Sequence, residues 1–545
     1  MMAKGILLVI VSFFICGCAA VTAGEPALVN TPVHEYTNVI LISIDTLRND
    51  HLGCYGYRRK TSPHIDRLAK RAVLFENFIT QANLTPISQM SILTAQYPRA
   101  NGMIEFESSE ADVTGRRLPE ILKYYDYYNA AFLSSIEFYK NVKLSRTGAL
   151  IPARSVFEKH FDVYEPTRKN GDIPWDALGW IKRNKEKKFF LWLPLGSVHW
   201  PYSWMVPEAD RKVFDPPRYS PFFRKYGAFP NANKDYMGIG ILSRIYRGEY
   251  YCDFSPAHRL TKEDVAFIIA RYDAGIRYTD MFIGRLLSVL EKQDLMDKTL
   301  IILHSVHGED LGEHGYFQHY DIYDTEVKNA LLIKFPGNKF RGKRIFHQVQ
   351  GIDIVPTLLD YLQIPLDESF QGRSVTALIK NTDVSQINEF AYTSRIPLWE
   401  FVLSRYLLEW YQMIAMPQVF TKIESKKHYP EMLKEYFGTF PEYRYPPYDI
   451  AIRTNRWKLL WRKDPALQEK ISWWGFISGK NISRKEIELY DLTQDPFERT
   501  DVAAAYPEVA AMLKEKLVLW DNKQEAGRSP GANRDSRERS IIPYP

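Results

Sequence analysis

Cysteine is scarce in this chain of 545 residues, with four in all. Cys16 and Cys18 lie at the very start, so Cys54 and Cys252 remain for the rest and could form one disulfide at most. That excludes a cysteine-stapled scaffold and a zinc-thiolate site. Blocks of like charge are also missing. The 71 Lys and Arg against 65 Asp and Glu leave a net charge of +6, spread along the chain. Without a Lys/Arg tract there is no pointer to nucleic acid, and an anionic small molecule or a glycan is the better-matched partner. No internal repeat is found. What the chain has in plenty is aromatics, 14% of residues with 34 Tyr and 12 Trp. Most of them fill a core, and some could stack on sugars. Hydrophobic residues at 45% and charged residues at 25% are ordinary for a globular protein, and the length suggests two or three domains.

After Lys4 comes "GILLVIVSFFICGCAA", long enough for a signal sequence and marginal for a membrane span. It ends in Ile15-Cys16-Gly17-Cys18, similar to the lipobox of bacterial lipoproteins, with Cys18 as the residue to be acylated. The competing expectation is ordinary cleavage after Val21-Thr22-Ala23. Residues 1–23 hold the signal, and in either case the mature protein is exported. The lipobox further implies a lipid anchor at the periplasmic or outer membrane surface.

From Thr37 strands alternate with helices. "TNVILISI" is a continuous apolar strand ending at Asp45. "SPHIDRLAKRA" is a helix with Ser62 as N-cap, Pro63 at its first position and Ile65, Leu68, Ala69 and Ala72 on one face. "FFLWLPLGSVHW" is a buried strand ending near His199. Thr261 and Asp264 fit a capping box opening a helix that continues in pieces to Leu290, before the strand "TLIILH". Apolar strands alternating with amphipathic helices predict an α/β fold: a large, mostly parallel sheet covered by helices on both faces. Ligands then gather beyond the carboxyl ends of the strands, where Asp45, His199 and His307 all fall. Each also has a plain role available, Asp45 as a turn cap and each His as a hydrogen-bonded loop residue.

After Ile364-Pro365 the pattern weakens. "IRTNRWKLLW" and "EIELYDL" predict strands of a smaller sheet, and "YPEVAAMLKEKLVLW" an amphipathic helix. These divide the chain into a main domain at 35–385, an aromatic-rich insertion at 386–450, a C-terminal α+β subdomain at 451–526 and a mobile tail at 527–545.

"ILISIDTLRNDHLGCYGY", "TSPHIDRLA", "FENFITQANLTPISQMSILTAQYP", "YDAGIRYTDMFIGRLL", "HGEDLGEHGYFQH" and "IDIVPTLLDYL" follow one another in order. Together they resemble the sulfatase family of the alkaline-phosphatase-like superfamily. "LYDLTQDPFE" is similar to that family's C-terminal signature, so the likeness runs over roughly residues 37 to 525. The resemblance implies a divalent metal ion (Ca, Mg, Mn or Zn), a nucleophile beside it, and donors around a tetrahedral anion. Asp45 matches the first metal aspartate. Thr46 stands where a second aspartate is frequent. Val306 and His307 stand at the Asp-His or Asp-Asn pair, so the metal ligands implied are Asp45 and His307, and the ion is bound weakly.

The family's Cys or Ser of C/S-x-P-x-R, the source of formylglycine, falls on Thr85, with Ile87 and Gln89 at the Pro and Arg positions. Oxidising a threonine gives a ketone, so no formylglycine is expected. Threonine is the nucleophile of phosphoryl-transferring relatives on this fold, and the resemblance gives Thr85 that role. Thr85 before Pro86 also fits a helix N-cap, which needs no catalytic reason. Gln89 and Asn101 match positions that contact the anion, and His199 and His319 match substrate-side residues. Two functions follow. One is a hydrolase of a sulfate or phosphate ester, of a glycan or cell-envelope component, working through Thr85. The other is a catalytically impaired lipoprotein that binds an anionic ligand without turnover.

Overall fold

The computed structural model describes residues 37–104, 113–134, 155–166, 173–199, 202, 206–218, 261–314, 317–319, 321–380, 386–395, 448–463 and 485–526, with the backbone of short strands at 142–144, 150–152, 245–246, 249–252 and 255–259. Cys18 and the leader, the span 396–447 and the tail from 527 lie outside the described residues.

Eight strands form the main sheet: β1 (Asn38–Ile44), β2 (Val73–Ile79), β3 (Tyr128–Leu133), β4 (Val163–Pro166), β5 (Phe189–Leu195), β6 (Thr299–Ser305), β7 (Lys328–Lys334) and β8 (Arg344–Gln350). Their order across the sheet is β8-β2-β7-β6-β1-β5-β3-β4. Every neighbouring pair is parallel except the two that involve β7. Side chains alternate along a strand, so β1 sends Ile40, Ile42 and Ile44 into one apolar cluster and Val39 and Leu41 into another. Burial on both faces accounts for the unbroken apolar text of β1, β5 and β6.

Helix α1 (Pro63–Ala69) begins where expected, with Ser62 at its N-cap, and ends three residues short of Ala72. Helix α2 (Thr85–Thr94) packs Ile87, Met90, Ile92 and Leu93 on the second face. The capping box of Thr261 and Asp264 is formed, and it opens α3 (Lys262–Lys292). Contrary to the expectation of pieces, α3 is one unbroken helix of 31 residues. Its glycines serve close approach. A Cβ on Gly275 would meet the Ser197 carbonyl at 2.6 Å, and one on Gly284 would meet the His64 ring at 2.6 Å. The helix therefore lies tight against the turn after β5 and against α1, and that packing outweighs the loss of helix propensity at two glycines.

A separate four-stranded antiparallel sheet follows, β9 (Ala391–Arg395), β10 (Asp449–Arg453), β11 (Trp457–Arg462) and β12 (Ile487–Asp491), in that order. Its first strand comes from within the stretch assigned to the insertion. "IRTNRWKLLW" is a hairpin, split between β10 and β11, and "EIELYDL" holds β12. A C-terminal helix, Pro507–Ala526, sends Leu513, Leu517 and Trp520 into the same cluster as Ile450, Ile452, Leu459 and Leu489.

Candidate active site

β6, β1 and β5 are adjacent and parallel, so their C-terminal ends open at one edge of the sheet. Asp45 follows β1 directly, Val306 and His307 follow β6, and His199 lies in the turn after β5. The fourth contribution arrives from β2, whose exit runs through Asn83 to Thr85 at the start of α2.

The Thr85 hydroxyl lies 3.0 Å from both Asp45 carboxylate oxygens and 3.0 Å from His307 Nε2. His307 Nε2 is 3.2 Å from Asp45 Oδ1. All three residues are buried. The N-cap of α2 is Leu84, and Thr85 is the first helical residue. Its hydroxyl therefore makes no helix cap, which corrects the capping expectation. The three-atom contact uses it instead.

His307 Nδ1 is 2.9 Å from the Gly308 carbonyl. A carbonyl only accepts, so Nδ1 carries the proton and Nε2 turns its lone pair toward Asp45 and Thr85. Burial lowers the His307 pKa and outweighs the opposing pull of Asp45, so the ring is neutral near pH 7. A carboxylate, a bare imidazole nitrogen and a hydroxyl thus face one another with one proton among them. Such a convergence of acceptors fits a cation. Among the described residues there is no group of three or more His, Cys, Asp or Glu side chains able to hold a metal ion. The fit is to an ion with two protein side-chain ligands beside the hydroxyl.

The position that would supply a further carboxylate is closed. Val306 is buried, donates its N–H to the Ile44 carbonyl at 2.9 Å, and accepts from Ser88 Oγ at 2.6 Å. Its side chain joins none of the apolar clusters of the described core. Thr46, beside Asp45, has φ of 52°. A β-branched residue in the left-handed region is strained, and its buried hydroxyl has no partner among the described residues.

The histidines form a row. The His319 ring is centred 4.4 Å from that of His307 and 5.3 Å from that of His199. His319 Nδ1 meets Glu309 Oε1 at 3.1 Å. Burial, then the neighbouring His307 and His199, holds His319 well below the usual imidazole range. Burial, then the charges of Glu326, Asp45 and Asp310, pushes Glu309 well above the carboxylate range.

Gln89 and Asn101 are not drawn into this cluster. Gln89 donates to Ser43 Oγ at 3.2 Å, and Ser43 is also bonded to His304 and Trp192 inside the second apolar face. Asn101 donates to Ser91 Oγ, Thr94 Oγ1 and the Gln96 carbonyl, and accepts from the Met103 N–H. The Asn101 amide and the Gln89 amide nitrogen are spent on the fold, while the buried Gln89 Oε1 has no partner among the described residues. Residues absent from the sequence reading are Glu309, Asn83 and Glu326. Glu309 stands two positions after His307 and could have been suspected. Asn83 and Glu326 are separated by 243 residues, and no local pattern joins them.

A family model described as Sulfatase matches residues 37–364. Arylsulfatase K from Homo sapiens is 28% identical over 278 residues, covering 51% of this chain and 41% of that protein. An arylsulfatase from Clostridium perfringens is 25% identical over 390 residues, covering 63% of this chain and 78% of that protein. The match to the human protein thus spans less than half of its length. Among solved structures, the phosphonate monoester hydrolase of Agrobacterium radiobacter superposes with a TM-score of 0.58 at 18% identity, covering 90% of this chain and 96% of that one. This likeness shows that the large sheet and the small antiparallel sheet make an alkaline-phosphatase-like fold. With the family model matching more than half of its residues, the chain belongs to the sulfatase family.

Proposed function

We propose that the protein hydrolyses a phosphate or sulfate ester, with phosphoester chemistry preferred, through an unmodified Thr85. The observation that carries this reading is the Thr85 hydroxyl, 3.0 Å from the Asp45 carboxylate and from His307 Nε2 and engaged in no helix cap. Asp45 and His307 would hold a divalent ion, which when bound lowers the pKa of a neighbouring hydroxyl. Thr85 Oγ1 forms a bond to the central atom of the ester as the bond to the leaving oxygen breaks. The hydroxyl proton passes to the Asp45 carboxylate, both of whose oxygens lie 3.0 Å from it. The departing oxygen takes its proton from water, with His319 and His199 placed to hydrogen-bond to it. A formylglycine hydrate has a second hydroxyl to expel the anion. Threonine has none, so water must attack the central atom of the threonyl ester, restoring Thr85 and releasing the anion. That step favours phosphate over sulfate. Sulfatases act on anionic esters, and the substrate class that follows is an anionic small molecule or glycan, with no nucleic acid. Export and a lipid anchor at Cys18 belong to the same reading.

The alternative is a binding lipoprotein without turnover, favoured by Val306 and by the engagement of Gln89 and Asn101 within the fold. Acid quenching during turnover of bis(4-nitrophenyl) phosphate, followed by mass spectrometry of the Thr85 peptide, separates the two. A 4-nitrophenyl phosphoryl group on Thr85, from loss of one of the two nitrophenolates, with the rest of that residue unmodified, is expected. A Thr85 peptide that stays bare while product accumulates would remove the residue from the reaction.

A further inference from the structure

Three separate stretches of chain deliver the reactive cluster: the exit of β2 to Thr85, the exit of β6 to His307, and the stretch around His319. A single residue outside the proposed chemistry touches all three. Glu326 is fully buried, in the helical turn Asp324–Val327 that precedes β7. Its carboxylate Oε2 accepts from Asn83 Nδ2 at 3.2 Å, two residues before Thr85. The same Asn83 Nδ2 also donates to the His319 carbonyl at 3.1 Å. Both carboxylate oxygens accept from the Asp321 N–H, at 3.0 and 2.9 Å, two residues beyond His319. Its backbone carbonyl accepts from the Gly308 N–H, adjoining His307, and the Thr325 carbonyl accepts from the Glu309 N–H at 3.1 Å. The approach to Gly308 is so close that a Cβ there would run into the Thr325 carbonyl. The turn is fixed from the other side as well. Asp324 is gripped by Arg453 and Lys458 of the small sheet, and Asp321 by Arg462.

We infer that Glu326 is a positioning residue for the site: it holds the Thr85, His307 and His319 stretches in one register, so that the Thr85 hydroxyl stays within reach of Asp45 and His307 together. This inference rests on the reading of Thr85 as the reacting group. A carboxylate suits the task because it only accepts, and charged acceptors make shorter and stronger bonds than neutral ones. Glutamine at 326 would offer one acceptor oxygen and turn an NH₂ toward the donors of Asp321 and Asn83. Partners that orient a reactive group without touching the substrate typically change activity by about 10–100-fold when removed.

The test compares wild type, Glu326→Gln, Asn83→Ala and the double variant, with activity per folded molecule on bis(4-nitrophenyl) phosphate and 4-nitrophenyl phosphate. The expected result is a kcat lowered about 10–100-fold in each single variant with KM little changed. The double variant should fall by less than the product of the two single losses, because both changes break the Asn83–Glu326 bond. Equal kcat in all four proteins, or losses that simply multiply, would overturn the inference. If Glu326→Gln does not fold, Asn83→Ala removes the same bond from its other end, together with the bond to the His319 carbonyl, and a kcat equal to wild type there overturns the inference while a loss of about 10–100-fold supports it. If wild type turns over neither ester, the proposed function fails by itself. Crystal structures then decide the role of Glu326. Opening of the Thr85 Oγ1 to His307 Nε2 distance beyond about 3.5 Å in the variant supports it. A distance still at 3.0 Å refutes it.

Discussion

Thr85 carries the weight of the functional argument at the level of single residues. In the sequence it reads equally well as a cap and as a nucleophile, because threonine before proline suits both. The fold, which brings Asp45 from 40 residues away and His307 from 222 away, shows the hydroxyl in contact with both and engaged in no helix cap. Gln89 and Asn101 illustrate the converse. Their positions match a pattern, but the direction of a side chain on a helix depends on what packs around it. For Gln89 that is Ser43 in the apolar layer. Val306 lies between these cases: its backbone is tied into the site while its side chain offers no ligand. Val306→Asp should tighten binding of a divalent ion, so that melting in excess Ca²⁺, Mg²⁺, Mn²⁺ or Zn²⁺ rises more for the variant than for wild type. In chelator the variant should melt lower, since its new carboxylate would stand uncompensated near Asp45. Identical metal responses of the two proteins would show that 306 is not a vacant ligand position.

Elements were legible where apolar periodicity was strong. β1, β5, β6 and α1 lie where the alternation of apolar strands and amphipathic helices puts them. The continuity of α3 was not legible, because its two glycines weaken the helical pattern and only the neighbours they touch explain them. α3 also anchors α1: Asp280 accepts from the backbone N–H of His64 and of Ile65, at 2.9 and 2.8 Å, where the start of α1 leaves donors free. Burial pushes the Asp280 carboxyl up to about 7, against the opposing effect of those two donors. A carboxyl whose folded pKa exceeds its unfolded value of roughly 4 favours folding below that lower value. The benefit is lost as pH rises through the folded value. Asp280→Asn lacks this titration. The margin of wild type over the variant, measured by urea unfolding, should therefore shrink between about pH 5 and about pH 7, by up to ~1.4 kcal/mol per unit. A margin that is constant or grows over that window would rule out the raised carboxyl.

For the whole molecule, the α/β class and the separate C-terminal sheet were readable, since they follow from the order of strands and helices. The ion pairs that tie the stretch around Asp321 and Asp324 to that second sheet were not. Lys458, Arg453 and Arg462 reach Asp324 and Asp321 across more than a hundred residues, and charge pairs at such separation leave no trace in a local pattern. The proposed lipid anchor is the other question at this scale. Labelled fatty acid should enter the wild-type protein and not Cys18→Ser, and equal labelling of both would leave the lipobox reading without support. The measurement that bears most directly on the account is steady-state turnover of 4-nitrophenyl phosphate, bis(4-nitrophenyl) phosphate and 4-nitrophenyl sulfate, with divalent metal present, by wild type and by Thr85→Ala of matched folded content. Wild type should turn over at least one phosphate ester faster than the sulfate ester, and Thr85→Ala should turn over none. A Thr85→Ala protein as active as wild type would contradict the account.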